Sequence, residues 1–432
     1  MEVALFLGTL VDAARRGVIT EEIKVVAEAE RITAEKVRER VARGLIVIPR
    51  NISHRAKPVG IGEGLTVKVN TNIGTSQDFC DPDFELKKAK LAVKLGSDTL
   101  MDLSTGGELD VVRSRILKEM DVPLGTVPIY QAFIEALRRG RKIPDITEDD
   151  MFNAIEKHLK DGVDFITVHC GITLEAVKLL IKSRRILPIV SRGGCFHAAW
   201  MMARGDENPL YKNFHYLLEL AREYDVCLSL GDALRPGCIA DSFDGLMNME
   251  LLTVARLVEE ARGKGVQCMV EGPGHMPLDQ ISINVRMEKH LCKGAPYYVL
   301  GPIPTDIASS YDHIAAAIGG AVAALAGADF LCVVTPAEHL GLPRLEDIEE
   351  GVIAAKIAGH AADIVKLGER ASTLDLEMAK ARFKLDWKTQ IELSVNPERA
   401  EAIHGFAKSP SGACSMCGPY CALKIVRGSM ER

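Results

Sequence analysis

The 432-residue chain predicts an α/β fold, a (β/α)8 barrel with a small N-terminal domain and a helical C-terminal region that ends in a flexible, cysteine-bearing tail. Three observations predict it. From Leu65 onward, short apolar runs alternate with helical stretches about every 25 to 40 residues, as strands buried on both faces and joined by helices do. Nearly every run ends at residues able to do chemistry: Asn70 and Asn72, Asp102 and Ser104, Tyr130, His169, Ser191 and Arg192, Asp232 and Arg235, Glu271 and His275, Asp306, His339. In a barrel those ends meet on one rim, where that fold places its active sites. The last cysteines, Cys414, Cys417 and Cys421, fall outside the alternation, beyond a linker-like stretch from Lys408 to Gly412.

Taken in order, the apolar run Val3 to Val11 begins beside Glu2 and has no basic leader, which argues against a signal peptide. Amphipathic helices are predicted over Leu10 to Arg16 and Thr33 to Ala42. In the second, Thr33 serves as N-cap, Val37 and Val41 share one face, and Glu35 and Glu39 share another. With the proline-punctuated passage Val47 to Asn51 these form a domain over 1–64. The barrel, over 65–365, has nine candidate strands: Val67 to Gly74, Thr99 to Ser104, Leu124 to Tyr130, Phe165 to Gly171, Ile186 to Gly193, Val226 to Asp232, Val266 to Gly274, Tyr298 to Pro302 and Phe330 to Thr335. One is therefore surplus, and a doubly wound open sheet is the alternative. The run Ile314 to Ala328, built largely from Ala and Gly and stopped by Asp329, reads as a buried helix too short to span a membrane. Helices follow over Leu345 to Gly359, Glu377 to Leu393 and from Asn396-Pro397-Glu398. The C-terminal helices occupy 366–408 and the tail 409–432.

A net charge of −6, with 47% apolar and 26% charged residues, is that of an ordinary globular protein with no footprint for nucleic acid or membrane, so small-molecule partners are expected. Of the eleven cysteines, eight are scattered singly, as reduced core thiols are, which fits a cytoplasmic compartment.

Three thiols within the stretch Cys414 to Cys421 suit an iron-sulfur cluster. Three ligands leave the fourth iron open to a small molecule such as S-adenosylmethionine. A zinc site short of one ligand, with His404 the nearby candidate, and a disulfide with a spare thiol are the alternatives. Glu271-Gly272-Pro273-Gly274-His275 and Glu338-His339 end two runs with imidazoles that could share a divalent metal, zinc or iron, if they are not simply structural. Arg192 in Ser191-Arg192-Gly193-Gly194, and Arg235 in Gly231 to Gly237, stand beside glycines. They suit an anionic, phosphorylated ligand, a solvated loop being the alternative.

The stretches Val69–Gly74, Met101–Gly106, Gly125–Tyr130, Ser191–Gly194, Glu271–His275, Leu300–Pro302, Tyr311–Ile314, Glu338–Pro343 and Cys414–Pro419 resemble the phosphomethylpyrimidine synthase family, over about Ala13 to Lys424. The resemblance implies a non-classical radical S-adenosylmethionine enzyme, a carbon-carbon lyase acting on 5-aminoimidazole ribotide. It implies a homodimer, with a [4Fe-4S] cluster on a mobile C-terminal tail that reaches the partner's barrel. An electron donor such as flavodoxin or ferredoxin is implied, and a paralogous second subunit is left open. Carried over by position, Cys414, Cys417 and Cys421 bind the cluster, and His275 and His339 a second metal. Asn72, Met101, Tyr130, His169, Ser191, Arg192, Gly193, Asp232, Ala233, Leu234, Arg235, Glu271 and Tyr298 line the ribotide site, with Glu271 and His169 as proton handlers.

The chain departs from the thiamine-pathway pattern at Arg50, Thr71, Ser309-Ser310 and Cys195-Phe196-His197. It also has three residues rather than four between Cys417 and Cys421, which makes Cys421 the least secure ligand. These departures point to the sister group, 5-hydroxybenzimidazole synthases, which make the benzimidazole lower ligand of anaerobic cobalamin from the same ribotide. The alternative is the family's pyrimidine phosphate for thiamine. A second is a non-enzymatic iron-sulfur sensor or ribotide-binding protein.

Overall fold

The computed structural model of the chain describes residues 8–407 and 409–430. The start of the apolar run at Val3 and the start of the linker at Lys408 lie outside them. Contacts divide the chain into two compact units, the first ending at Lys366 and the second beginning at Leu367.

In the first unit, a short antiparallel pair, β1 (Ile46–Val47) and β2 (Ile61–Gly62), precedes eight barrel strands. These are β3 (Lys68–Ile73), β4 (Thr99–Asp102), β5 (Leu124–Thr126), β6 (Phe165–Val168), β7 (Cys227–Leu230), β8 (Cys268–Gly272), β9 (Tyr297–Val299) and β10 (Phe330–Cys332). Each pairs in parallel with its neighbours, and β10 closes on β3. The predicted barrel is thus present, and the open sheet is not.

The surplus run is Ile186 to Gly193. It carries Pro188, which has no N–H for a ladder, and leaves Ile186 68% exposed, whereas a barrel strand is covered on both faces. Its end, Arg192–Gly193, opens the helix Arg192–Arg204 instead. Side chains alternate along β3: Val69 and Ile73 join a core cluster with Leu100 and Ile116, while Asn70 and Asn72 face the interior of the barrel.

The N-terminal helices are Leu10–Arg15, Glu21–Ala29 and Ala34–Arg43. Thr33 caps the third by accepting from the Lys36 N–H at 3.4 Å, and Val37 and Val41 are buried in it. The helix Glu21–Ala29 is not among the predicted ones. Its apolar face is only Ile23, Val26 and Ala27, yet it completes a small core with Leu10, Ile46 and Ile48. Leu10 N–H donates to Asp225, Thr9 Oγ1 to the Gly265 carbonyl at 2.8 Å and Ile48 N–H to Gln267 Oε1 at 2.7 Å. All three partners precede β7 or β8, so this layer closes the end of the barrel opposite the rim.

The Ala- and Gly-rich segment is a surface helix rather than a buried one, Asp312–Ala326. Ala315, Ala316, Gly319 and Ala323 pack inward, while Ile314, Ile318 and Leu325 stay about half exposed. Small residues let the helix approach the sheet closely and push the large apolar side chains outward. The next helix runs to Leu367, past the predicted end at Gly359. Among the described residues no helix is long and apolar enough to cross a membrane.

In the second unit the single helix predicted over Glu377 to Leu393 is two, Glu369–Lys384 and Trp387–Glu392, broken where Leu385 takes a left-handed φ of 55°. Pro397–Phe406 forms as expected, with Asn396 Oδ1 accepting from the Arg399 N–H at 3.1 Å. The cysteine thread carries regular structure of its own. A 3-10 turn, Gly418–Tyr420, separates the last two thiols, and a helix, Ala422–Met430, follows. Trp387 Nε1 donates to the Gly412 carbonyl at 2.9 Å, and its ring stacks on His404.

Candidate active site

At the C-terminal ends of the strands lies a cleft of about 480 Å³. Asn72, Met101, Tyr130, His169, Asp232, Arg235, Glu271 and Tyr298 line it, together with Thr167 and Cys332. Eight of the expected ribotide contacts thus converge.

The floor is a hydrogen-bonded chain. Thr99 Oγ1 donates to Asn70 Oδ1 at 2.7 Å. Asn70 Nδ2 donates to Asn72 Oδ1 at 2.8 Å and to Tyr298 Oη at 2.7 Å. Asn72 Nδ2 reaches Cys332 Sγ at 3.1 Å. Asn70 therefore orients two of the predicted contacts without touching the cleft. Cys332 had been grouped with the scattered core thiols. Its register opposite Asn70 places it on the cleft wall, and its position at the end of a run was the signal available in the sequence. Burial pushes its thiol up to about 12.

Glu271, at the tip of β8, accepts through Oε1 from Thr167 Oγ1 and Ser229 Oγ, both at 2.7 Å. Burial, with Asp232 nearby, holds its carboxyl well above the usual range. Burial raises Asp232 too, opposed by Arg235, whose guanidinium lies 3.0 Å away. Both carboxyls thus give up their protons at a higher pH than they would in water, Glu271 more so than Asp232.

His169 ends β6. Its Nε2 pairs with Ser191 Oγ at 2.9 Å, and Ser191 Oγ accepts from the Gly194 N–H at 3.2 Å as cap of the helix Arg192–Arg204. Gly193 packs beneath the imidazole, where any side chain would collide with it. Burial, with His197 and Arg235, keeps His169 neutral. It is a hydrogen-bonding group here rather than a cation. Arg192 lies over the Tyr130 ring at 5.0 Å, so Ser191, Arg192 and Gly193 stand as a helix N-terminus behind Tyr130 and His169, and none of the three is among the residues lining the cleft. Ala233 and Leu234 are fully buried behind the wall, and their N–H groups go to Glu250. Only Asp232 and Arg235 of that stretch face the cleft.

His275 Nε2 and His339 Nε2 stand 3.2 Å apart. Two nitrogens each about 2.1 Å from one ion would then subtend about 100°, the angle between neighbouring metal ligands. Asp306 Oδ1 accepts from His275 Nδ1 at 2.8 Å, the outer carboxylate that metal-bound imidazoles commonly have. His339 takes a left-handed φ of 63°, and Asp312 lies 3.5 Å from its Nδ1. The pair fits a shared metal.

In the second unit Cys414, Cys417 and Cys421 are all free thiols. The Cys417 and Met416 N–H groups hold the Cys414 thiol below its ordinary value, while Cys414 and Cys421 push Cys417 up. Thiols that repel one another as anions, with backbone donors aimed at one sulfur, suit a cationic iron cluster. Among the described residues no three His, Cys, Asp or Glu side chains close a metal shell by themselves.

A closed parallel barrel whose strand tips enclose a buried, polar cleft defines a (β/α)8-barrel enzyme. The model of the radical SAM ThiC family matches residues 9–428, and the chain belongs to that family of enzymes, which use S-adenosylmethionine and an iron-sulfur cluster. The phosphomethylpyrimidine synthase of Methanopyrus kandleri is 54% identical over 98% of this chain and 99% of its own length. That of Pyrococcus furiosus is 56% identical over 97% and 98%, and that of Desulforamulus reducens 57% over 96% and 96%.

Proposed function

We propose that the chain is a phosphomethylpyrimidine synthase. It converts 5-aminoimidazole ribotide to 4-amino-5-hydroxymethyl-2-methylpyrimidine phosphate for thiamine biosynthesis, with 5′-deoxyadenosine and methionine from the cofactor and with the two surplus carbons of the ribotide leaving as formate and carbon monoxide. The observation that carries this reading is identity of 54–57% to relatives of that name over nearly the whole chain. The comparisons support this product over the 5-hydroxybenzimidazole expected from the sequence departures. Those departures also lie off the cleft. Thr71 points to the helix layer, its Oγ1 2.7 Å from Ser97 Oγ, and Ser309 and Ser310 are exposed. Phe196 stacks on Phe133 behind Tyr130. None of these side chains is among those lining the cleft.

Cluster and S-adenosylmethionine, when bound, supply a 5′-deoxyadenosyl radical. The chain's own residues bind and orient the ribotide. Arg235 holds its phosphate, backed by the N-terminus of the helix Arg192–Arg204 with Ser191 and Gly193. Asn72, Met101, Tyr130 and Tyr298 enclose it, excluding water. Glu271, holding its proton near neutral pH, donates or accepts a hydrogen bond as the heterocycle rearranges, and neutral His169 fixes the wall through Ser191. Cys414, Cys417 and Cys421 hold the cluster, and His275 and His339 a divalent metal, zinc or iron. A reduced flavodoxin or ferredoxin as electron donor, and a homodimer, belong to the same proposal. The outward row Ile314, Ile318 and Leu325 is suited to covering by a second copy.

Anaerobic reconstitution with iron, sulfide, S-adenosylmethionine, a reductant and 5-aminoimidazole ribotide tests the proposal. Mass spectrometry is expected to find the pyrimidine phosphate. Hydroxybenzimidazole as the main product would restore the sister reading, and ribotide bound without 5′-deoxyadenosine would end both.

A further inference from the structure

The stretch Asp232–Arg235 is held by its backbone from two sides. Ala233 N–H donates to Glu250 Oε1 at 2.9 Å and Leu234 N–H to Glu250 Oε2 at 2.6 Å, so both oxygens of one carboxylate are used. From the other side Arg185 Nη2 donates to the Leu234 carbonyl at 2.7 Å. Asp244 fixes that guanidinium, accepting from Nε and Nη2, each at 2.7 Å. Asp244 caps the helix Gly245–Gly263, on which Glu250 also sits, and its Oδ1 accepts from the Met247 N–H at 2.9 Å. One helix and one arginine thus grip the N–H groups and the carbonyl of a two-residue bend.

Glu250 is 4% exposed and the Arg185 side chain 2%. Burying such groups opposes folding unless they are hydrogen-bonded, and they bond the backbone of this bend, whose groups an apolar side chain would leave unpaired. Ala233 and Leu234 are packed in the core, but behind them lies a small gap, with room for only a water or two, bordered by Asp232, Arg235, Met247, Leu251 and Val254 as well as Glu250. Without the two grips the backbone groups of the bend are left unpaired, and a small shift of the bend moves Arg235 from its place at the cleft.

We propose that Glu250, seconded by Arg185, is a positioning residue that holds Asp232 and Arg235 at the cleft wall and thereby sets ribotide affinity. The inference rests on the reading of Arg235 as a ribotide contact. Neither residue reaches the cleft, so the effect is on binding and not on the bond-making steps.

Glu250→Gln keeps the shape but turns an amide N–H2 toward one of the two backbone N–H groups. Arg185→Met removes the grip on the carbonyl and leaves the carboxylate in place. Two measurements go together: hydrogen exchange of the Ala233 and Leu234 amides in ligand-free protein, and KM and kcat for 5-aminoimidazole ribotide with reconstituted enzyme. Glu250→Gln is expected to speed exchange at those amides and raise KM, each about tenfold, as one unsatisfied buried donor would. Protection of β6 to β8 and kcat are expected to stay within about twofold of the parent. Should Glu250→Gln lose protection throughout the barrel, Arg185→Met carries the comparison, with KM again expected to rise. A folded variant with parental KM, or one in which kcat falls and KM does not change, overturns the inference. Failure of the parent to bind ribotide counts instead against the proposed function, and the exchange measurement then decides whether the grip exists.

Discussion

The cleft and the cysteine thread are built in opposite ways. The cleft draws Asn72, Tyr130, His169, Arg235, Glu271 and Tyr298 from six places across some 230 residues, and Asn72, Glu271 and Tyr298 are set by hydrogen bonds with other strands, His169 by the cap Ser191 and Arg235 by Asp232. The thread gathers its three thiols within one short stretch, with Cys417 exposed and its own backbone supplying the donors. Burial raises the cleft's carboxyls above their usual range, whereas backbone N–H groups ease a proton off Cys414. Geometry for binding is stored in the barrel fold, and the capacity to hold iron is stored in local sequence. The two should therefore fail separately.

The largest break is expected from Cys417→Ala, which removes one of the three proposed cluster ligands. Iron and sulfide content and S-adenosylmethionine cleavage are expected to vanish while the barrel still binds ribotide. Retained cleavage would remove Cys417 from the cluster. Glu271→Gln breaks the other side: turnover falls by about 10²-fold, in the range for loss of a proton-transferring group, with iron content unchanged. Loss of iron in that variant would tie the two regions together. Asp306→Asn separates the divalent metal proposed at His275 and His339 from the proposed cluster. It is expected to weaken divalent metal binding about 10- to 100-fold, as loss of an outer carboxylate does, and to leave cluster iron intact. Metal analysis after dialysis reads both quantities.

Smaller effects sharpen the contrast in protonation. Burial pushes the Glu288 carboxyl, outside the cleft, up to about 8 from an ordinary 4.5. The folded chain keeps that proton while the unfolded chain loses it, so stability falls as pH rises through this window. In Glu288→Gln the term is absent. The Tm of the variant minus that of the parent is expected to grow from pH 5 to 8 and then level off, and a flat difference would contradict the raised carboxyl. Ser310 takes a left-handed φ of 73°, a conformation that glycine adopts without strain. Ser310→Gly should stabilise by about 1 kcal/mol, seen as a slightly higher Tm, and leave the product unchanged. A changed product would reopen the argument from the loop departures.

Much of this was legible in the sequence, for physical reasons. Barrel strands covered on both faces must be apolar and must end in polar rim residues, so eight runs and most cleft residues could be placed. The surplus run at Ile186 misled because its apolar residues flank Pro188 in a connector, whose exposure the sequence does not encode. Cys332 was overlooked because a buried thiol looks the same on the cleft wall as in the core. Glu250, Arg185 and Asp244 were invisible because each acts through backbone atoms of a distant bend. The expected sister product follows from departures that fall mostly in loops while the ribotide positions stand, and of these Thr71 is adjacent in sequence to Asn72, yet strand alternation sends the two side chains to opposite faces.

The most direct test of the central claim is a calorimetric titration with 5-aminoimidazole ribotide of iron-free protein in which Cys414, Cys417 and Cys421 are all serine. The account predicts binding as tight as that of the iron-free parent, and its loss in Arg235→Met. Absence of binding in the iron-free parent, or binding that appears only once the cluster is loaded, would contradict it.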